Sequence, residues 1–311
     1  SMSARGSSAL LRVARAGAWR SQRGCSGRAG AAVVSDPPVQ EARLPSGDVC
    51  SFVRLPGKEC AGRPTVVALH GGPGSHRDWR YLAPHLEECC DLVRLDLPGF
   101  HGSTPVPEPS STAVAQRVWD VLDEILDPEK AAPVVFIAHS MGSHVALEAA
   151  AQRRDRTGGV ALLSPVCLRP HQAIRPFWLV KTVSSLVMAL PGDLGARALH
   201  AVYLQLGFPR TTESSAFLVT QQRVNCFDWA RIEGLVAQMS TPAFLSFATN
   251  DHLVEEPVFR ELEQALRAST PSLRVKSFPT GGHNIQKTKA EEIGLELVRW
   301  LGVSNDEKIA P

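Results

Sequence analysis

The segment Val134-Val135-Phe136-Ile137-Ala138-His139-Ser140-Met141-Gly142-Ser143-His144-Val145-Ala146-Leu147 constrains the fold more than any other stretch. An apolar, β-branched run stops at a serine, and a small-residue helical pattern begins at once. That reads as strand, sharp turn, helix, with a hydroxyl at the apex. Such a turn holds Ser140 in a strained conformation with its Oγ exposed. Strand and helix pass close together there, so the residues two before and two after must be small, and Ala138 and Gly142 meet that need. The helix that starts at Ser140 also directs its positive N-terminal end at any oxyanion formed beside the hydroxyl. Small-x-Ser-x-Gly arises by chance, and a serine at a helix start often only caps it. The flanking strand and helix lift this match above chance.

Around it the chain alternates strand and helix. Apolar strands are expected at residues 65–69, 92–97, 159–164, 242–248 and 273–278, besides the one that ends at Ser140. Helices are expected at 77–90, 112–126, from Ser140 to about 153, at 257–267 and at 287–301. Two shorter strands, 41–44 and 49–55, precede them around a turn at Ser46-Gly47-Asp48. Buried strands alternating with helices imply an α/β fold with a mostly parallel central sheet and helices on both faces. In such sheets ligands bind at the carboxyl ends of the strands.

The rhythm breaks between 165 and 241, which holds Pro170, Pro176, Pro191 and Pro209 and no clear strand. It reads as a helical cap inserted between sheet strands. Residues 177–190 are apolar apart from Lys181 and a few small polar side chains. They are too short to span a bilayer. Plain packing of a buried helix is the first reading, with the wall of an apolar pocket or peripheral contact with a membrane surface as alternatives.

Length and charge exclude some classes. The 311 residues suffice for one large α/β domain plus a tail. A net charge of +2 gives no basic footprint for nucleic acid, and no apolar run is long enough for a transmembrane helix. Seven cysteines, an odd number with no C-x-x-C pair, read as reduced thiols of an intracellular compartment. From Ser3 to Ser35 there is no acidic residue, while Arg5, Arg12, Arg15, Arg20, Arg23 and Arg28 stand among Ala, Ser and Gly. That is the composition of a mitochondrial transit peptide, the alternative being a disordered basic tail on a cytoplasmic protein. The expected organisation is therefore a basic tail at 1–36, a core at 37–164 and 242–303, the cap at 165–241 and a short tail at 304–311. Nothing in the sequence sets an oligomeric state.

Ser140, Asp251 and His283 each follow a predicted strand and fall at one edge of the sheet, in the order serine, acid, histidine. With HGGPGS at 70–75, DLPGFHGS at 96–103, AHSMGS at 138–143, TNDHLV at 249–254 and GGHN at 281–284, the chain resembles the α/β-hydrolase superfamily over about residues 41–302. The resemblance implies the α/β-hydrolase fold and a catalytic triad. His283 would take the Ser140 proton and return it to the leaving group, and Asp251 would hold the imidazole. The backbone N–H groups of Met141 and, by analogy with the family's oxyanion loop, Gly72 would bind the oxyanion, since Pro73 has none to give. Glu255 and Glu256 are rival acids, but residues 164–175, where some hydrolases place the acid, contain no Asp or Glu. His70 and Asp96 read as structural, and His139 and His252 as neighbours of the triad. No P-loop, dinucleotide fingerprint or metal-ligand spacing is present, so no cofactor and no metal are implied.

Closer relationships within the superfamily differ in what they imply. HGGPG resembles prolyl aminopeptidases, which hold a substrate amine with cap acids. Here the cap offers only Asp193, Glu213, Asp228 and Glu233. Epoxide hydrolases and dehalogenases use an aspartate nucleophile where this chain has Ser140, and Tyr203 is the only cap tyrosine. The 164–176 segment, with GGPGSHRDW and TNDHLVEE, looks like a family of uncharacterised α/β hydrolases found in nematodes and other eukaryotes. Arg169, His171 and Arg175 in that segment would either bind a substrate carboxylate or phosphate or anchor the cap. The resulting expectation is a serine hydrolase of a small-molecule acyl ester or thioester. A prolyl-aminopeptidase-like amide hydrolase and a non-catalytic binding protein are the alternatives.

Overall fold

The computed structural model describes residues 36–55, 63–127, 133–205, 208 and 210–302. The import expectation rests on residues 1–35 and the C-terminal tail on 304–311, both outside the described residues. Strands β1 (Gln40–Arg43), β2 (Val49–Leu55), β3 (Thr65–Leu69), β4 (Asp91–Leu95), β5 (Val134–His139), β6 (Thr157–Leu163), β7 (Ala243–Ala248) and β8 (Leu273–Phe278) form one sheet in the order β1-β2-β4-β3-β5-β6-β7-β8. β1 and β2 run antiparallel to each other, and β2 antiparallel to β4. Every pair from β4 through β8 is parallel.

The apolar runs are continuous because both faces are covered. Val67, Leu69, Phe136, Ala138, Leu245 and Phe247 face one apolar layer. Val66, Ala68, Val135, Ile137 and Phe244 face the other. The first layer is closed by α2 (Ser111–Ile125), α3 (Gly142–Gln152) and α8 (Glu256–Ser269), the second by α1 (Ala83–Leu86) and α10 (Ala290–Trp300). Trp119 of α2 is fully buried against Phe136 at 5.5 Å and donates its indole N–H to the Ala149 carbonyl at 2.9 Å. The five cysteines among the described residues carry no disulfide.

Two expected helices are broken. Residues 77–90 form a 3₁₀ turn, His76–Trp79, and then the single turn α1. Ser75 and Asp78 cap the first turn reciprocally, and Pro84 sits in the first turn of the second, where its missing N–H does no harm. Residues 285–301 divide into α9 (Ile285–Thr288) and α10, separated at Lys289 with φ −128° and ψ 28°. β4 ends at Leu95, earlier than expected. Asp96 leaves the ladder and takes the His76 backbone N–H and Nδ1–H, both at 2.7 Å.

Between β6 and β7 the described residues contain no strand. They form α4 (Phe177–Met188), α5 (Leu194–Gln205), α6 (Ser214–Asn225) and α7 (Trp229–Ala237). The first reading of residues 177–190 as a buried helix does not hold. α4 buries only Ser184, whose Oγ donates to Asn225 Oδ1 at 2.9 Å, while Trp178 is 69% and Leu186 67% exposed. Its hydrogen-bonding face points inward, Phe177 at its start packs on Trp229 at 5.5 Å, and Trp178 and Leu186 point out.

Candidate active site

Three strand ends converge. β5 delivers Ser140, which sits at φ 51°, in the left-handed region that non-glycine residues rarely occupy. The turn is held by the Ser140 N–H on the Leu163 carbonyl at 3.1 Å and by the Val166 N–H on the Ser140 carbonyl at 3.1 Å. Gly142 shows why a small residue is needed two positions on. A Cβ there would lie 2.5 Å from the Leu69 carbonyl oxygen and 2.6 Å from that of His70. Any side chain would drive α3 off β3.

β7 ends before Asp251 and β8 before His283. His283 Nδ1 donates to Asp251 Oδ2 at 2.8 Å, and Ser140 Oγ donates to His283 Nε2 at 2.8 Å. The Asp251 contact places the imidazole proton on Nδ1 and leaves Nε2 as the acceptor. Asp251 Oδ1 takes the N–H groups of Leu253 at 2.8 Å and Val254 at 3.1 Å. Burial pushes the Asp251 carboxyl upward, but His283 and these two donors outweigh it and hold it below the usual carboxylate range. The aspartate is thus ionised beside a histidine that faces a hydroxyl. That arrangement can generate an alkoxide-like nucleophile.

The rival acids are engaged elsewhere. Glu255 takes the Gln172 N–H at 2.7 Å and pairs with Arg175, and Glu256 pairs with Arg260 at 3.0 Å. His70 is structural: Nδ1–H donates to the Gly71 carbonyl at 2.6 Å, and Nε2 accepts the Leu97 N–H at 3.0 Å. His139 does more than stand beside Ser140. Its Nε2–H donates to the His283 carbonyl at 3.0 Å, with the two rings 5.0 Å apart. Burial, then the adjacent His283, pushes its pKa down to about 3, so it is neutral. A second clamp joins the histidine loop to the loop after β3, where Lys287 of α9 pairs with Asp78 at 2.5 Å.

Gly72 and Met141 lie side by side. A Cβ at Gly72 would stand 2.4 Å from Met141 Cε and 3.0 Å from Thr220 Cγ2. Neither the Gly72 nor the Met141 N–H donates a hydrogen bond among the described residues. Gly71 flanks the serine itself, its Cβ position 2.9 Å from Ser140 Cβ. Thr220 shows that cap helix α6 reaches the site, which the sequence pattern did not reveal.

Arg169, His171 and Arg175 are each bonded to residues of the core. Arg169 makes a two-pronged pair with Glu261 of α8, both bonds 2.6 Å, and Arg175 pairs with Glu255. Buried His171 donates from Nδ1 to the Leu253 carbonyl at 2.8 Å. The 169–175 strap therefore buttresses the loop that carries Asp251, and both guanidinium groups are already occupied by carboxylates.

Comparison with known proteins agrees with this geometry. Residues 57–269 match the family described as alpha/beta hydrolase of unknown function (DUF1057), and residues 231–308 match the dienelactone hydrolase family. The uncharacterized hydrolase YugF of Bacillus subtilis is 34% identical over 257 residues, 77% of this chain and 90% of that protein. Lipase LipV of Mycobacterium tuberculosis is 35% identical over 115 residues, 37% of this chain and 42% of the lipase. The solved esterase EaEST of Exiguobacterium antarcticum superposes with a TM-score of 0.64 at 14% identity, covering 84% of this chain and 98% of that one, a likeness of fold. With the sheet order, the strand-end site and the family match in agreement, the chain belongs to the α/β hydrolases, in the group of unknown function DUF1057.

Proposed function

We propose that this protein is a serine hydrolase that cleaves a carboxylic ester or thioester through an acyl-enzyme on Ser140. The observation that carries the reading is the unbroken chain Ser140 Oγ–His283 Nε2, His283 Nδ1–Asp251 Oδ2, with both links at 2.8 Å. His283 takes the hydroxyl proton as Oγ attacks the carbonyl carbon. The carbonyl oxygen becomes an oxyanion and accepts the Met141 and Gly72 N–H groups. Collapse breaks the bond to the leaving alcohol or thiol, which takes the proton from His283. Water, deprotonated by the same His283, then releases the acid and restores Ser140.

Ester or thioester chemistry fits better than an aminopeptidase-like activity. Asp193, Glu213, Asp228 and Glu233, the four cap acids, are all exposed, and Asp228 is committed to capping α7 through the Arg231 N–H at 3.0 Å. None forms a buried clamp for a substrate amine. The apolar outer face of α4 also supports peripheral contact with a lipid surface. The basic N-terminal composition supports mitochondrial import.

The test is labelling with a fluorophosphonate probe in the wild type, Ser140→Ala and His283→Ala. Labelling of the wild type alone is expected. A wild type that resists the probe while still binding acyl ligands would favour a binding protein instead.

A further inference from the structure

Among its described residues the cap buries one formal charge, Arg223 of α6, and the mechanism above makes no use of it. Arg223 is 3% exposed. Its Nη2 donates to the Pro98 carbonyl at 2.8 Å, and its guanidinium carbon lies 5.1 Å from the Phe100 ring centroid. Nε and Nη1 are buried with no hydrogen-bond partner among the described residues. No carboxylate among the described residues compensates the charge, and burial alone pushes the group down to about 9. Arg94, buried in β4, is the useful contrast: it has Asp36 at 2.8 Å.

A buried cation without an anion is costly, so its retention calls for a reason. A clamp on the Pro98 carbonyl would be made as well by a neutral amide and needs no charge. The position of Arg223 supplies the reason. It lies three residues after Thr220, which touches Gly72, and four after Val219, which packs on Gly99. All three therefore share the face of α6 turned to the site. Phe100 beneath the guanidinium meets the His70 ring edge-on at 5.1 Å, and His70 adjoins Gly71, the residue flanking Ser140. Arg223 thus stands on the site-facing side of α6, with Phe100 between its guanidinium and the His70 ring that precedes the oxyanion loop.

We propose that Arg223 is the receptor for a carboxylate carried by the substrate, so that the enzyme selects anionic esters over neutral ones of the same shape. This deepens the hydrolase reading and rests on it. The guanidinium offers fixed, charge-assisted donors that a carboxylate oxygen accepts, and the ligand's charge offsets the desolvated cation. Neutral esters leave Arg223 uncompensated. The same site disfavours an amine-bearing substrate, in keeping with the exposed cap acids.

Two matched ester pairs test this and separate the two ends of the substrate. Mono(4-nitrophenyl) glutarate is set against 4-nitrophenyl 5-methylhexanoate, with the acid on the acyl side. 4-Carboxyphenyl butanoate is set against 4-isopropylphenyl butanoate, with the acid on the alcohol side. In at least one pair the wild type is expected to prefer the carboxylate by about 30-fold in kcat/KM, the effect of one charge-assisted hydrogen bond. Arg223→Met should bring that ratio near one, mainly through KM, and Arg223→Lys should restore part of it. Equal rates within both pairs for the wild type overturn the proposal even if no variant folds. So does an Arg223→Met protein that slows both members equally, the mark of a structural clamp. A fluorophosphonate label on Ser140 in the same preparation keeps the readings apart. Labelled enzyme without preference overturns the carboxylate receptor alone, and unlabelled, inactive enzyme overturns the hydrolase reading beneath it.

Discussion

At the carboxyl edge of the sheet each functional side chain is held from at least two directions, whereas on the outer cap the large side chains are scarcely held at all. β3, β5 and β7 are buried along their whole length, and the parallel ladder fixes where each ends. His283 is then pinned by Asp251 on its ring and by His139 on its carbonyl. α4 and α5 expose Trp178, Leu186, Leu194 and Val202. The cap's own packing centres on Phe217, stacked on Tyr203 at 4.6 Å and met by Phe208 at 5.8 Å, outside the two apolar layers of the sheet. The difference teaches where each kind of change should act. Core-edge substitutions should remove chemistry or stability outright, and cap substitutions should alter what reaches the site.

The largest expected effect is at Ser140 and His283. Replacing either with Ala should lower kcat by about 10⁶-fold while the fold persists, the residual rate coming from the N–H donors that still bind the oxyanion. Asp251→Asn should cost about 10⁴-fold, less than either, by removing the charge that orients and stabilises the imidazolium. Retention of more than a tenth of the activity in any of the three would break the contrast at its strongest point. Next comes Gly142→Ala. Its Cβ would meet backbone oxygens at 2.5 and 2.6 Å, which cannot move aside as a side chain would. A loss of about 3 kcal/mol in urea unfolding is expected. Gly72→Ala meets the flexible end of Met141 instead, so it should unfold less readily but lower kcat through the displaced oxyanion loop.

The same contrast governs what could be read from the sequence. The edge was legible because each element carries its own local signal: an apolar run, a turn residue, then a polar side chain. Ser140, Asp251 and His283 follow such signals, and the parallel topology brings them together without further information. The cap was legible only as a region. Its helices do not follow a simple inward apolar stripe: α4 turns Ser184 inward and Trp178 outward, so its apolar composition pointed the wrong way. Thr220 and Arg223 sit in a helix with little amphipathic pattern, and their importance arises from contacts with loops more than a hundred residues away. The breaks between Trp79 and Ala83 and at Lys289 were missed for a smaller reason, that helical composition continued across them.

Acid should expose the core edge's dependence on neutral histidines. Burial is the first cause in each case, and it pushes His70, His144 and His171 down to about 4 and His139 to about 3. An unfolded histidine titrates near 6.5, so both states are neutral above that pH and stability is full. As pH falls below 6.5 the unfolded chain binds protons that the folded chain refuses. Each of the four histidines should then withdraw roughly 1–2 kcal/mol by pH 5. Asp251, with its depressed carboxyl, contributes in a separate window, lost only below about pH 4. Urea midpoints at pH 7, 6 and 5 check this, and a flat profile across that range would show that the buried rings find protons after all.

The smallest effect on the fold is expected at Trp178, and there the comparison is sharpest. The side chain is 69% exposed on α4, so Trp178→Ser should change unfolding free energy by less than about 0.5 kcal/mol. Turnover of a soluble ester should not change, because the residue lies on the outer side of the cap. If α4 rests on lipid, the same substitution removes an amphipathic ring from the interface and weakens co-sedimentation with phosphatidylcholine–cardiolipin vesicles. Leu186→Ser, two turns along the same helix, should act in the same direction. A variant that unfolds early would mean that the outer cap contributes to the core's stability. A variant that binds vesicles as tightly as the wild type would mean that the exposed face does not meet lipid.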